Sequence, residues 1–142
     1  MSTQYLEHDG GRIAFDDTGA GPLVVCVPGM GDLRAEYRFL TPQLVSAGYR
    51  VATMDVRGHG EASVGWADVS VAAIGSDILA LIRHLDAGPA TIVGTSMAAK
   101  WVNQPKCAAA SSRSRPATGT PRRRPMMAAI SRKGTPSSAA AW

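Results

Sequence analysis

The stretch Leu23–Val27, LVVCV, constrains this chain more than any other: five consecutive apolar residues, closed by Pro28-Gly29. A strand apolar at every position has no face to offer water. Both faces must be covered, which is the environment of a parallel sheet in an α/β protein. Two further runs read as strands: Arg50–Asp55 (RVATMD), and Ala90–Gly94 (ATIVG) as a buried one. Helical segments lie between the three strands. Strands alternating with helices predict a parallel sheet with right-handed crossovers.

The connecting segments carry their own signals. In Gln4–Gly19 a hairpin is expected, with Tyr5 and Leu6 on one strand, Ile13 and Phe15 on the other, and Asp9-Gly10-Gly11 at the turn. Thr41-Pro42 predicts a helix start, with Thr41 as N-cap and Pro42 at the first helical position, and Gly48 marks its end. The preceding RAEYRFL is expected to form a separate turn or helix, because proline disfavours helical geometry at Thr41. Ser70 is positioned to cap the clearest helix. Val71, Ile74, Ile78, Leu81, Ile82 and Leu85 form its apolar face, Asp77, Arg83 and Asp86 fall on the polar side, and Gly88-Pro89 ends it.

From Lys100 the grammar changes. Residues 1–99 hold all eleven acidic residues and six arginines, a net −5; residues 100–142 hold nine Lys/Arg and no acid, a net +9. The later segment has no Leu or Phe, five prolines and no hydrophobic period. Such a segment cannot bury enough apolar surface to offset ordering its backbone, at about 1–2 kcal/mol per residue. The expected organisation is one folded unit over 1–99 and a disordered tail over 100–142, of the composition that a shifted reading frame of a GC-rich gene yields. Cys26 and Cys107 make neither a disulfide framework nor a metal spacing. No run reaches the ~18 apolar residues that span a membrane, and residues 1–12 lack a signal-peptide core. A soluble, cytoplasmic protein is expected.

Three glycine-bearing loops close the three core strands. VPGMGD (Val27–Asp32) follows the first, and its backbone N–H groups could face an anion. DVRGHGEAS (Asp55–Ser63) follows the second. Gly94-Thr95-Ser96-Met97-Ala98 follows the third, in the strand-to-turn context that a G-x-S-x-G nucleophile elbow demands, with Ala98 in place of the last glycine. Loops at the carboxyl ends of successive parallel strands converge on one rim, where open α/β sheets bind ligands.

In this combination and order the sequence resembles the N-terminal half of an α/β-hydrolase, over roughly residues 4–99. The resemblance implies an incomplete hydrolase sheet: an N-terminal hairpin and three parallel core strands with crossover helices. It implies Ser96 as nucleophile and the backbone N–H groups of Met30 and Met97 as the oxyanion hole. Pro28 stands where the family commonly has histidine. Gly29, Gly31, Asp55, Arg57, Gly58, His59, Gly60, Gly94 and Ala98 would support the loops. The implied reaction is hydrolysis of an ester-like bond in a small-molecule substrate, with no metal and no cofactor. A serine at this position also argues against the dehalogenase and epoxide-hydrolase branches, which use aspartate there.

The family's acid and histidine follow the serine in chain order. After Ser96 this chain has no Asp, Glu or His. Its histidines, His8, His59 and His84, all precede it. His59 alone lies near the rim by analogy and is expected to be a loop residue, as Asp55 is expected to order its own loop. Catalysis is therefore expected to be impaired. The alternative class is a binding protein whose basic tail (Arg113, Arg115, Arg122–Pro125, Arg132 and Lys133) contacts nucleic acid or an acidic partner, though only Trp101 and Trp142 there offer stacking faces.

Overall fold

A computed structural model of the chain describes residues 2–98, Lys100 and the backbone of 128–130. The elements are β1 (Gln4–His8), β2 (Gly11–Thr18), β3 (Leu23–Val27), a 3-10 turn (Arg34–Arg38), α1 (Leu40–Ser46), β4 (Arg50–Met54), α2 (Val71–Leu85), β5 (Ala90–Thr95) and β6 (Ala128–Ile130). They form one sheet in the order β1-β2-β4-β3-β5-β6. The β1–β2 hairpin is antiparallel and joins β4 antiparallel, while β4, β3, β5 and β6 are mutually parallel.

Every residue of β3 is buried, and the reason is two cores. Leu23, Val25 and Val27 pack with Phe15, Met54, Ile78 and Leu81 under α2. Val24 and Cys26 pack with Tyr37 and Val51 on the opposite face, under the 3-10 turn and α1. The chain leaves β3 toward β4 and then crosses back over β3 to reach β5. Strand order therefore reverses between β3 and β5, and their loops diverge at the carboxyl rim, leaving a crevice.

Several local expectations hold. Asp9 and Gly10 turn the hairpin with positive φ at both positions (51° and 76°), the geometry a two-residue turn requires. Ser70 caps α2, its side chain accepting from the Ala73 N–H. Gly48, at φ 86°, closes α1. Two differ. Thr41 is not an N-cap: α1 begins at Leu40 after Phe39, directly from the 3-10 turn. Pro42 then sits in the first turn, where a missing N–H costs no helical bond. And α2 ends at Leu85, before Gly88, because Asp86 takes the left-handed conformation at φ 43°.

Asp77 is the larger correction. It is fully buried on α2, not on a polar face. Its carboxylate accepts from Arg57 Nε (2.6 Å) and Nη2 (2.7 Å), and Arg57 Nη1 donates to the Asp68 carbonyl (2.8 Å). Trp66 stacks 4.2 Å from the guanidinium and Asp9 lies 2.9 Å from it. Burial raises the Asp77 carboxyl above its usual range, against the pull of Arg57.

Alongside β5, Ala128–Ile130 pairs with Val93–Thr95. No period in the sequence predicted that strand. The rest of the tail, its expected disorder and its basic residues lie outside the described residues. Among the described residues no helix is long and apolar enough to cross a membrane.

Breaking a buried ion pair from one side strands a charge. Asp77→Ala should lower the unfolding free energy in urea by about 3–5 kcal/mol, and the double change Arg57→Leu/Asp77→Leu should cost less than that.

Candidate active site

The site begins where β5 ends. Ser96 has φ 53°, in the left-handed region, and its side chain is exposed while Gly94, Thr95 and Ala98 are buried. The other described non-glycine residues with positive φ, Asp9 and Asp86, serve a hairpin turn and a helix cap. A serine in this conformation, between a strand and the start of a helix, is a strained elbow. Ala98 and Lys100 are helical, and the Lys100 N–H donates to the Met97 carbonyl (2.9 Å). Met97 itself is half-buried against the α2-side core.

The loop after β3 is pressed against this elbow. A Cβ on Gly29 would lie 3.2 Å from Ser96 Cβ and 3.3 Å from the Thr95 carbonyl oxygen, so only glycine fits comfortably. The loop's N–H groups can be followed one by one. Pro28 has none. Gly29 donates to Thr95 Oγ1 (3.1 Å), and that hydroxyl donates on to Glu36 Oε2 (3.1 Å). Gly31 donates to His59 Nε2 (3.1 Å). Asp32 donates to the Gly29 carbonyl (3.1 Å). Met30 is left: its N–H has no partner among the described residues, and its side chain is 59% exposed. The Met97 N–H likewise has no partner among the described residues.

His59 is bound at both ring nitrogens. Nδ1 lies 2.9 Å from the Arg57 carbonyl, which can only accept, so Nδ1 carries the proton. Nε2 accepts from Gly31. The lone pair a general base needs is thus already engaged. His8 meets Ser76 Oγ at 3.2 Å on the α2 side, and His84 lies edge-on to Phe15 at 5.8 Å. Neither is in the loops that form the rim.

Asp55 does order its loop. It is fully buried, accepts from the Arg34 and Glu61 backbone N–H groups (2.8 and 3.1 Å), and pairs with the Arg34 guanidinium. A side chain on Gly60 would run into that carboxylate. Gly58, at φ 74°, turns the chain ahead of it. Arg34 also binds Asp16 (2.9 Å), Glu61 (2.7 Å) and Thr3 Oγ1 (2.8 Å), clasping four segments together. Thr95, Glu36 and Arg34 escaped the sequence reading. Thr95 lay inside the elbow motif, but its partners come from the loop after β3 and from the 3-10 turn, which no spacing connects to it. Arg57, expected among the loop supports, holds the loop from behind, through α2. Cys26 is a buried thiol that desolvation pushes up to about 12, with no nucleophilic character at neutral pH.

A groove of about 610 Å³ runs along the α1 face of β2 and β4, between Asp16, Thr18, Arg38 and Val45. It includes none of the rim residues, so the site rests on the elbow geometry and not on that cavity.

Comparison with known proteins shows the family and the fold. The family model for the alpha/beta hydrolase fold matches residues 22–104, more than half of the chain. The "Putative non-heme bromoperoxidase BpoC" of Mycobacterium tuberculosis is 40% identical over 91 residues, covering 62% of this chain and 34% of that protein. Among solved structures, an epoxide hydrolase from an endophytic Streptomyces superposes with a TM-score of 0.64 at 33% identity, covering 71% of this chain and 32% of that one. The thioesterase domain from the curacin biosynthetic pathway gives 0.63 at 29%, covering 68% and 37%. The chain spans about a third of the length of these relatives.

Two outcomes test the site's physics. Ser96→Gly removes the left-handed strain and should raise stability in urea by about 1 kcal/mol. Glu61 is held below the usual carboxylate range by its bond from Arg34 and then by Tyr5. A lowered folded-state value means stability that is present above the ordinary glutamate range and lost as pH falls through the lowered one. Glu61→Gln should flatten that limb of the stability–pH curve.

Proposed function

The chain belongs to the α/β-hydrolase family, and from that premise we propose a serine acyl hydrolase site: Ser96 attacks, and the backbone N–H groups of Met30 and Met97 hold the oxyanion. One observation carries this reading. In the loop against the elbow, every other N–H is absent or already bonded, and the one left without a partner among the described residues belongs to Met30.

The chemistry follows from the atoms present. Ser96 Oγ adds to the carbonyl carbon of an ester or thioester. Negative charge moves onto the carbonyl oxygen, where the two N–H groups meet it. The Oγ proton passes to solvent water; collapse expels the alcohol or thiol, which takes up a proton from water, and leaves an acyl-serine that a second water hydrolyses to the acid and free Ser96. A hydroxyl at the elbow favours acyl transfer. The epoxide hydrolase and bromoperoxidase named among the similar proteins mark the breadth of the family, and the substrate class here is argued from Ser96.

The proton on Oγ has no acceptor among the histidines of this chain. His59 is engaged at both nitrogens, and none follows Ser96. Loss of the triad histidine costs on the order of 10⁶ in turnover, about 8 kcal/mol of barrier. A residual acceleration of roughly 10³–10⁴ over water comes from the oxyanion hole and binding. On this reading the 142-residue chain is a slow acyl hydrolase.

A fluorophosphonate should label the wild-type chain slowly at Ser96 and leave Ser96→Ala unlabelled, with multiple-turnover esterase activity near background in both. Equal labelling of the two proteins, mapped to another residue by mass spectrometry, would remove Ser96 from the role.

A further inference from the structure

We infer that His59 is the positioning residue of the oxyanion loop: as a hydrogen-bond acceptor it fixes the Met30–Gly31 peptide and, with it, the aim of the Met30 N–H. The inference rests on the oxyanion role proposed for Met30.

Met30 sits between two glycines, and Gly31 is left-handed at φ 83° with open space around its Cα. Peptide planes beside glycine rotate at little steric cost. The plane before Met30 is held by the Asp32 N–H on the Gly29 carbonyl. Among the described residues, the plane after it is held at its nitrogen end, by the Gly31 N–H on His59 Nε2. Without that acceptor the Met30–Gly31 peptide is free to rotate, and Met30 loses one of the two tethers that hold its N–H in place. A donor aimed away from the developing charge contributes little, so loss of that tether weakens the site.

The acceptor is itself fixed. The Arg57 carbonyl selects the tautomer with hydrogen on Nδ1, which leaves Nε2 bare. Arg57 is held through its guanidinium by buried Asp77. A chain of contacts thus runs from α2 through Arg57 and His59 to Gly31, and it ends one residue from the proposed donor. The histidine that lies closest to the elbow in sequence logic acts on the backbone and not on the Ser96 proton.

The test uses the 142-residue chain with His59→Leu, which removes the acceptor, and His59→Gln, whose carbonyl oxygen can replace it. Two readouts are taken: the rate of fluorophosphonate labelling at Ser96, and nitrogen-15 NMR of the His59 ring with hydrogen exchange of the Gly31 amide. Losing an oxyanion donor costs about 10²–10³, and a misdirected one should make His59→Leu label roughly 10- to 100-fold more slowly. His59→Gln should recover to within roughly threefold of wild type, because an amide oxygen accepts as Nε2 does. Wild type should show a protonated Nδ1, a bare Nε2 and a slow Gly31 amide that quickens in His59→Leu and slows again in His59→Gln. Labelling of His59→Leu at the wild-type rate, no recovery in His59→Gln, or the opposite tautomer would overturn the inference. If wild type does not label at all, the hydrolase reading fails, and the ring tautomer and the Gly31 exchange alone decide whether His59 holds the loop.

Discussion

Two-sided burial of β3 is the constraint from which the rest follows. A strand with no wet face must have α1 on one side and α2 on the other. The chain must therefore pass over both faces of the sheet, and its direction must reverse beside β3. That reversal places the loop after β3 next to the elbow after β5. The contact between Gly29 and Ser96 is thus a product of sheet topology before it is a product of any motif.

Onto this frame the loops are tied by polar contacts of high sequence separation. Arg34 joins residues 3, 16, 55 and 61; Arg57 joins 9, 68 and 77; Thr95 joins 29 and 36. Each tie satisfies buried or half-buried polar groups that would otherwise destabilise a loop drawn down onto a core. The loops are thus tied down where the chemistry is proposed, and among the described residues the Met30 N–H is the one backbone donor of the Pro28–Asp32 loop without a partner.

This explains what could be read from the sequence. Strands buried on both faces, the capped α2 helix, the hairpin and the three glycine loops are local or periodic, so Leu23–Val27, Ser70 and Gly94–Ala98 announced themselves. Asp77 did not. Its meaning depends on a guanidinium twenty residues away, and on an amphipathic helix a carboxylate counts as polar until its partner is known. Thr41 carried a cap signal that the incoming 3-10 turn made redundant. The roles of His59 and Thr95 were hidden for the same reason as Asp77: each accepts from a backbone N–H in another loop, and backbone groups leave no mark in a sequence. Ala128–Ile130 forms a strand by pairing with an apolar neighbour, without a pattern of its own.

One further consequence concerns the order in which the molecule can be assembled. The hairpin made by the first eighteen residues docks on β4, not on β3. During synthesis, Ile13 and Phe15 leave the ribosome with no sheet to join until Met54 has been added and a loop of more than thirty residues has closed. The ribbon is thus made before the strand that anchors it, and in that interval its apolar face is open to any chaperone or neighbouring nascent chain.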